Sequence, residues 1–362
     1  MFKQKIKKIR QKLLEEKLDA VLVSSVSNIT YLTEFSNFSK DEREAYIFIG
    51  SDFAYIITDG RYTEAVKEEV PHLMLFERGN GKSIDGLFKK HKSQIKKLGI
   101  EEDNLTVSEH KILSKHFEDT AHFDIGKLRS IKTKEEISRI EKACKIGDTA
   151  FKYILKKIKI GKTEKEIANE LETFIKKKGA TISFPSIVAF GKNSAIPHHQ
   201  TGNTELTGKS GFVLLDFGVK YDDYCSDMTR TIFFGKPTDK QKRIYETVLA
   251  AQQKAIDFIN YAVKTGKEIK ATEVDKVARS HITSKDFPTI PHSLGHGVGL
   301  EVHEYPSLSS KSRDILKEGI VFSIEPGIYI SGFGGVRIED LFVLEKNGLR
   351  QLTNSPKKLF FV

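Results

Sequence analysis

Four acids stand where this sequence otherwise places apolar residues. The run Phe212-Val213-Leu214-Leu215 reads as a buried strand and ends on Asp216, and Ile320-Val321-Phe322-Ser323-Ile324 ends likewise on Glu325, followed by Pro326-Gly327. Asp227 comes eleven residues after Asp216, within Tyr224–Ile232, a spacing that suits two hairpin-linked strands. From Val336 to Leu344 the residues alternate as in a strand, so that Arg337 and Glu339 share one face. Burying one ionised carboxylate without a partner is costly, and grouping four adds mutual repulsion. Something positive must sit among them: arginines, lysines or metal ions. His296, in Pro291-His292-Ser293-Leu294-Gly295-His296-Gly297-Val298-Gly299-Leu300, offers a nitrogen ligand on a segment that its glycines loosen. Four carboxylates and one neutral imidazole balance two divalent cations. Mixed oxygen and nitrogen ligation suits Mn²⁺, Co²⁺, Fe²⁺ or Zn²⁺ better than Ca²⁺.

Taken singly, each residue has a plainer reading. An acid at a strand end is usually a turn residue, and Arg337 beside Glu339 is an ordinary ion pair. It is the set of five that points to a metal centre. Other motifs do not hold up. The glycines at 295, 297 and 299 lack the strand-to-helix setting of a dinucleotide loop, and Gly161-Lys162-Thr163 lacks the earlier glycine of a phosphate loop. His303-Glu304 has no second histidine four residues on, as a helical zinc-protease motif requires. Cys225, with no adjoining histidine, reads as packing.

Over nearly its whole length the chain resembles the proline-specific branch of the pita-bread metallopeptidases, which includes aminopeptidase P and prolidase. The resemblance rests on Leu215-Asp216-Phe217-Gly218, Ser226-Asp227-Met228-Thr229-Arg230-Thr231, Gly295-His296-Gly297-Val298-Gly299-Leu300 and Ile324-Glu325-Pro326-Gly327. It implies metal ligands at Asp216, Asp227, His296, Glu325 and Glu339. It also implies two divalent ions per chain, Mn²⁺ or Co²⁺, with Zn²⁺ and Fe²⁺ as alternatives. Asn193-Ser194-Ala195-Ile196-Pro197-His198 is similar to the loop that carries the family's proton-shuttling histidine, here His198; only one of His198 and His199 can match that position. By the same resemblance His303 stands near the substrate carbonyl, Glu325 carries a proton to the leaving nitrogen, and His292 and Arg337 line the substrate site. The implied activity is metal-dependent hydrolysis of the Xaa-Pro bond at the N-terminus of short proline-containing peptides, as an Xaa-Pro aminopeptidase or dipeptidase. The implied assembly is a homodimer in which the N-terminal domain helps cover a neighbour's site. Thr58-Asp59-Gly60-Arg61-Tyr62 resembles a string of that N-terminal domain to which no catalytic role attaches. Two other readings of the scaffold, a metal-free creatinase and a non-catalytic peptide-binding module, go with a loss of ligands, and all five are present here.

The elements that must position these residues fall into two sets. Residues 1–130 alternate helix and strand patterns, with strands at Ala20–Val23, Ala45–Ile49 and Ala54–Ile57 and helices around Tyr62–Glu69, Ile84–Lys97 and Ser108–Phe117. This predicts a small creatinase-like α/β domain. Residues 131–362 open on a helix that Thr133 and Glu136 cap, running to about Lys159; Gly161 ends it, and Thr163 with Glu166 cap the next. Strands follow from Ser183, then helices near Gln241–Val263 and Thr272–Thr283, then more strands. A helix pair followed by strands, twice over, predicts an α+β pita-bread catalytic domain.

With 362 residues, 39% of them apolar and 30% charged, the chain supports two soluble domains. The net charge of +10 is lysine spread over helix faces, as at Lys3, Lys5, Lys7 and Lys8, without an arginine and aromatic array for nucleic acid. No apolar run reaches the ~18 residues of a membrane span, and the opening segment lacks the apolar core of a signal peptide. Two cysteines in unrelated contexts exclude a disulfide framework, and the expected setting is the cytoplasm.

Overall fold

A computed structural model describes residues 2–79, 81–207 and 211–357. The chain divides into two compact units at Leu128/Arg129, just ahead of the boundary expected from the sequence.

The first unit holds a six-stranded sheet of β1 (Ala20–Val23), β2 (Tyr46–Gly50), β3 (Ala54–Asp59), β4 (Met74–Arg78), β5 (Lys97–Ile100) and β6 (Asp119–His122), in the order β4-β3-β2-β1-β5-β6. Pairing is antiparallel within β1–β2–β3 and parallel outward of it. Leu22, Phe48, Ile57, Phe88, Leu98 and Phe117 meet in its core. The outer strand β4 has a short apolar run that ends on Glu77 and Arg78, and β6 carries Asp119 and His122, so neither shows the alternation that marks a strand in the sequence. The helix expected to run to Lys97 stops at His91, because the chain must turn to enter β5.

The second unit is built twice from the same plan. Helices Lys134–Ile154 and Glu164–Lys177 precede β7 (Thr181–Ile182), β8 (Ile187–Phe190), β9 (Gly211–Phe217), β10 (Val219–Tyr221), β11 (Tyr224–Cys225) and β12 (Met228–Phe234). Helices Asp239–Thr265 and Ala271–Thr283 flank β13 (Ile269–Lys270) and precede β14 (Gly295–Gly297), β15 (Glu304–Leu308), β16 (Ile315–Leu316), β17 (Val321–Ile324), β18 (Gly327–Ile330), β19 (Gly334–Arg337), β20 (Asp340–Glu345) and β21 (Gly348–Gln351). Both expected caps form: Thr133 and Thr163 each accept from the backbone of the glutamate three residues on, and that glutamate returns the bond. The first helix ends at Ile154, earlier than expected, and Gly161 takes the left-handed turn before the next at φ +84°.

The strands form the sheets β12-β9-β8, β11-β10-β7 and β15-β14-β17-β20-β21, with β13-β16 and β18-β19 as separate ribbons. Alternation decides what each face meets. Val213, Leu215 and Phe217 of β9 turn toward Phe151, Leu171 and Ile175 of the first helix pair. Phe212 lies in the other core, with Val248, Ala255 and Val274 of the second pair and Phe322 and Ile324 of the large sheet. Asp216 therefore projects on the side opposite the first helix pair, the face of Phe212.

A buried ion pair ties the two halves together. Arg230, 1% exposed, donates to Asp340 at 2.5 Å and to the carbonyl of Ser355 at 2.8 Å, and also bonds the carbonyls of Thr229 and Glu339. Asp340, fully buried, also accepts from Gln252 and Thr353. Breaking such a pair from one side costs about 3–5 kcal/mol, because the remaining charge stays buried and unpaired. No helix among the described residues is long and apolar enough to cross a membrane.

Candidate metal centre

Each half of the second unit delivers two acids from one antiparallel strand pair. In the first, Thr229 of β12 stands opposite Asp216 of β9, and Asp227 immediately precedes β12. In the second, Ile324 of β17 stands opposite Asp340 of β20, the last pair of that ladder, with Glu325 directly after the one and Glu339 directly before the other. The single strand expected over Val336–Leu344 is two, broken at Ile338–Glu339. The break has a cause: the N–H of Glu339 leaves the ladder to bond the carbonyl of Thr229 at 3.1 Å, drawing Glu339 toward the first strand pair.

His296 comes from β14, between β15 and β17. Its flanking glycines do not loosen the segment as the sequence reading had it. A Cβ at Gly295 would lie 2.0 Å from the carbonyl oxygen of Ser323, and one at Gly297 2.0 Å from that of Tyr305. Glycine is needed here so that neighbouring backbone can pack against the histidine's strand.

Three of the five residues converge, and Glu325 and Asp216 adjoin them. Asp227, His296 and Glu339 each offer a ligand atom, and these atoms lie within 4.8 Å of one another. His296 Nε2 is 3.2 Å from Glu325 Oε1 and 3.7 Å from Asp227 Oδ2. Asp216 is bonded by the Arg337 guanidinium. Thr229 donates to Glu339 Oε2 at 2.7 Å and accepts from Arg337 Nε at 3.0 Å. Two carboxylate oxygens, Asp227 Oδ1 and Glu339 Oε1, are buried without a hydrogen-bond partner among the described residues. Unpaired buried carboxylate oxygens beside an imidazole are what a divalent cation would satisfy, so the donor set fits metal.

The same excess of negative charge shifts the pKa values of the cluster. Burial, then the charges of Glu339, Asp216 and Glu325, pushes Asp227 well above the usual carboxylate range. Burial, then Glu325 and Asp216, pushes Glu339 up to about 8. At Glu325 burial acts upward but is outweighed by the hydrogen bond to His296, and the net shift is down. At His296 burial acts downward but is outweighed by that bond and the surrounding acids, so it rises to about 9. The sign of the resulting pH dependence is fixed for metal-free protein. Glu339 titrates near 4.5 unfolded and about 8 folded, so its ionisation destabilises the fold as pH rises through that range. The contribution of His296 is fully present below 6.5 and is lost as pH rises through about 9. Both run the same way, so the gap in melting temperature between metal-loaded and metal-free protein should widen from below pH 6.5 to above pH 9. Thermal melts of the two forms across that range check it; a gap independent of pH would contradict it.

The other expected site residues lie around this centre. The His303 ring stacks edge-on with His296 at 4.3 Å between centroids. Burial lowers the pKa of His303, and the charges of His296 and His198 lower it further. His198 is exposed on the loop after the 3₁₀ turn Gly191–Ala195. His292 is placed by both ring nitrogens, Nδ1 at 2.7 Å from the Ser293 carbonyl and Nε2 at 2.9 Å from the Tyr329 hydroxyl, which in turn accepts from Arg337 at 2.9 Å. Arg337 is committed to Asp216, Thr229, Tyr329 and the carbonyl of Pro197.

Several residues that support this arrangement carry no signal in the sequence. Thr229, Tyr329 and Arg230 sit in the quoted strings or beside them, yet their types alone carry no signal. Glu304, next to His303, is buried against Arg129 and Lys132, the latter at 3.1 Å. A charged triplet of residues so far apart in sequence shows no local pattern.

Residues 5–131 match the Creatinase/Prolidase N-terminal domain and residues 138–346 match Metallopeptidase family M24. A Pyrococcus horikoshii protein named Xaa-Pro dipeptidase is 38% identical over 364 residues, covering 98% of both chains. A solved structure of an Xaa-Pro dipeptidase from Bacillus anthracis is 37% identical with a TM-score of 0.91, covering 100% of both chains. The crystal structure of an X-Pro aminopeptidase from Thermotoga maritima is 34% identical with a TM-score of 0.82, covering 96% of this chain and 98% of that one. The chain therefore belongs to Metallopeptidase family M24, with a creatinase/prolidase N-terminal domain preceding the catalytic one.

Proposed function

We propose that this chain hydrolyses the Xaa-Pro bond at the N-terminus of short peptides with divalent metal held by Asp216, Asp227, His296, Glu325 and Glu339. The observation that carries the reading is the buried convergence of Asp227, His296 and Glu339, with two carboxylate oxygens left unpaired. The ligand set accommodates two ions, Mn²⁺ or Co²⁺ first, with Zn²⁺ or Fe²⁺ also compatible. When bound, such ions supply Lewis-acid polarisation of the scissile carbonyl and a nucleophile at neutral pH. The chain's own residues do the rest. His303 and His198 donate hydrogen bonds to the carbonyl oxygen as negative charge develops on it. Glu325 takes the proton that the attacking water gives up and carries it to the proline nitrogen, which has no N–H of its own and departs as a secondary amine. His292, fixed by Ser293 and Tyr329, forms part of the wall against the substrate.

What Arg337 bonds bears on substrate length. A dipeptidase needs a fixed cation for the terminal carboxylate, and the donors of Arg337 already bond Asp216, Thr229, Tyr329 and Pro197. The names of the relatives, dipeptidase and aminopeptidase alike, agree with use of both lengths. Ala-Pro and Ala-Pro-Ala should therefore both be cleaved, with kcat/KM values within about 10³-fold of each other, or about 4 kcal/mol. Side-by-side kinetics decide it, and exclusive use of one peptide would refute dual specificity. The working form is a cytoplasmic homodimer, a reading that rests on the family resemblance; no disulfide joins Cys144 and Cys225. Sedimentation of active protein as a monomer would contradict the assembly.

A further inference from the structure

His198 is exposed and has no packing of its own to fix it, yet its two chain neighbours are both held. On one side the carbonyl of Pro197 accepts from Arg337 at 3.3 Å. On the other, His199 Nε2 lies 2.8 Å from Oε2 of Glu164, and that carboxylate is fully buried. Glu164 also receives the N–H of Gly202 on Oε2 at 3.2 Å, and the N–H of Phe190 and the amide of Asn193 on Oε1, each at 2.8 Å. One carboxylate thus gathers the start, middle and end of the loop that presents His198. Its own position is set by the helix it opens, where the N-terminal dipole favours a negative charge.

We infer that His199 and Glu164 are positioning residues, holding the loop so that the His198 imidazole stands over the metal centre beside His303. This rests on the catalytic role proposed for His198. His199 is then no inert neighbour. Its imidazole is the only side chain adjacent to His198 that reaches Glu164, and losing that bond lets the backbone at 198 shift. Misplacement by about 1 Å of a group that acts in the transition state costs about 10²-fold in rate.

The test uses full-length, metal-loaded protein with Ala-Pro as substrate. His199→Ala should lower kcat by about 10–10²-fold, with KM and metal content close to wild type. His199→Gln, which returns an N–H donor at similar reach, should recover most of that loss. In a His198→Ala background the His199→Ala change should add little further loss, because its effect passes through His198. Rescue by glutamine and this non-additivity are outcomes that general loss of stability would not produce, and melting temperatures of all variants separate the two. Unchanged kcat in His199→Ala, no rescue by glutamine, or fully additive losses in the double variant would each overturn the inference. Failure of the wild-type protein to cleave any Xaa-Pro peptide would instead overturn the proposed function, and the inference with it.

Discussion

Asp227→Asn is expected to lower kcat/KM for Ala-Pro by at least about 10³-fold and to deplete bound metal, while raising the melting temperature of the metal-free protein. The activity loss follows from removing a proposed ligand whose Oδ1 has no hydrogen-bond partner among the described residues. Lewis-acid stabilisation is worth several kcal/mol, and each 1.36 kcal/mol is tenfold in rate. The gain in stability follows from electrostatics. Asp227 is pushed upward by burial and by the charges of Glu339, Asp216 and Glu325, so its ionised form opposes folding when no cation is present. Asparagine keeps the shape and removes one like charge. Elemental analysis and paired thermal melts check both halves, and a variant with wild-type metal content and activity would remove Asp227 from the centre.

His198→Ala should lower kcat by about 10²–10⁴-fold with metal content intact, the usual size of a lost acid–base or oxyanion contact. Little else should change. The side chain is exposed, and no hydrogen bond of the loop depends on it, since Glu164 is reached by Phe190, Asn193, His199 and Gly202. Surface substitutions of this kind alter stability by about 0.5 kcal/mol or less. Steady-state kinetics with metal analysis read the result. An unchanged kcat would remove His198 from the mechanism.

The site was legible in the sequence because its residues violate the local rule around them. Asp216 at the end of Phe212–Leu215 and Glu325 at the end of Ile320–Ile324 are acids where burial is otherwise complete, and four such acids call for positive charge among them. The capped helices and the doubled plan of the catalytic unit were legible for a related reason, since caps and amphipathic stripes are local signals. What escaped was set by contacts distant in the chain. β4 and β6 are edge strands of mixed polarity whose pairing, not their pattern, makes them strands. The break between β19 and β20 exists because Glu339 bonds Thr229, more than a hundred residues earlier. Arg337 could be read from its sequence either as a substrate cation or as a partner of the site's acids, and its bond to Asp216 comes from a residue more than a hundred positions away. His199 and Glu164 meet across 35 residues of sequence, a pairing no spacing rule marks.

The proposed activity requires that the buried acids and His296 hold catalytic divalent metal. The direct measurement is the metal content of the purified, full-length protein, followed by Xaa-Pro hydrolysis before chelation, after exhaustive chelation, and after adding back Mn²⁺ or Co²⁺. The account predicts about two equivalents of divalent metal per chain, activity lost on chelation and restored by the added ion. Full hydrolysis of Ala-Pro by protein shown to be free of metal would contradict it.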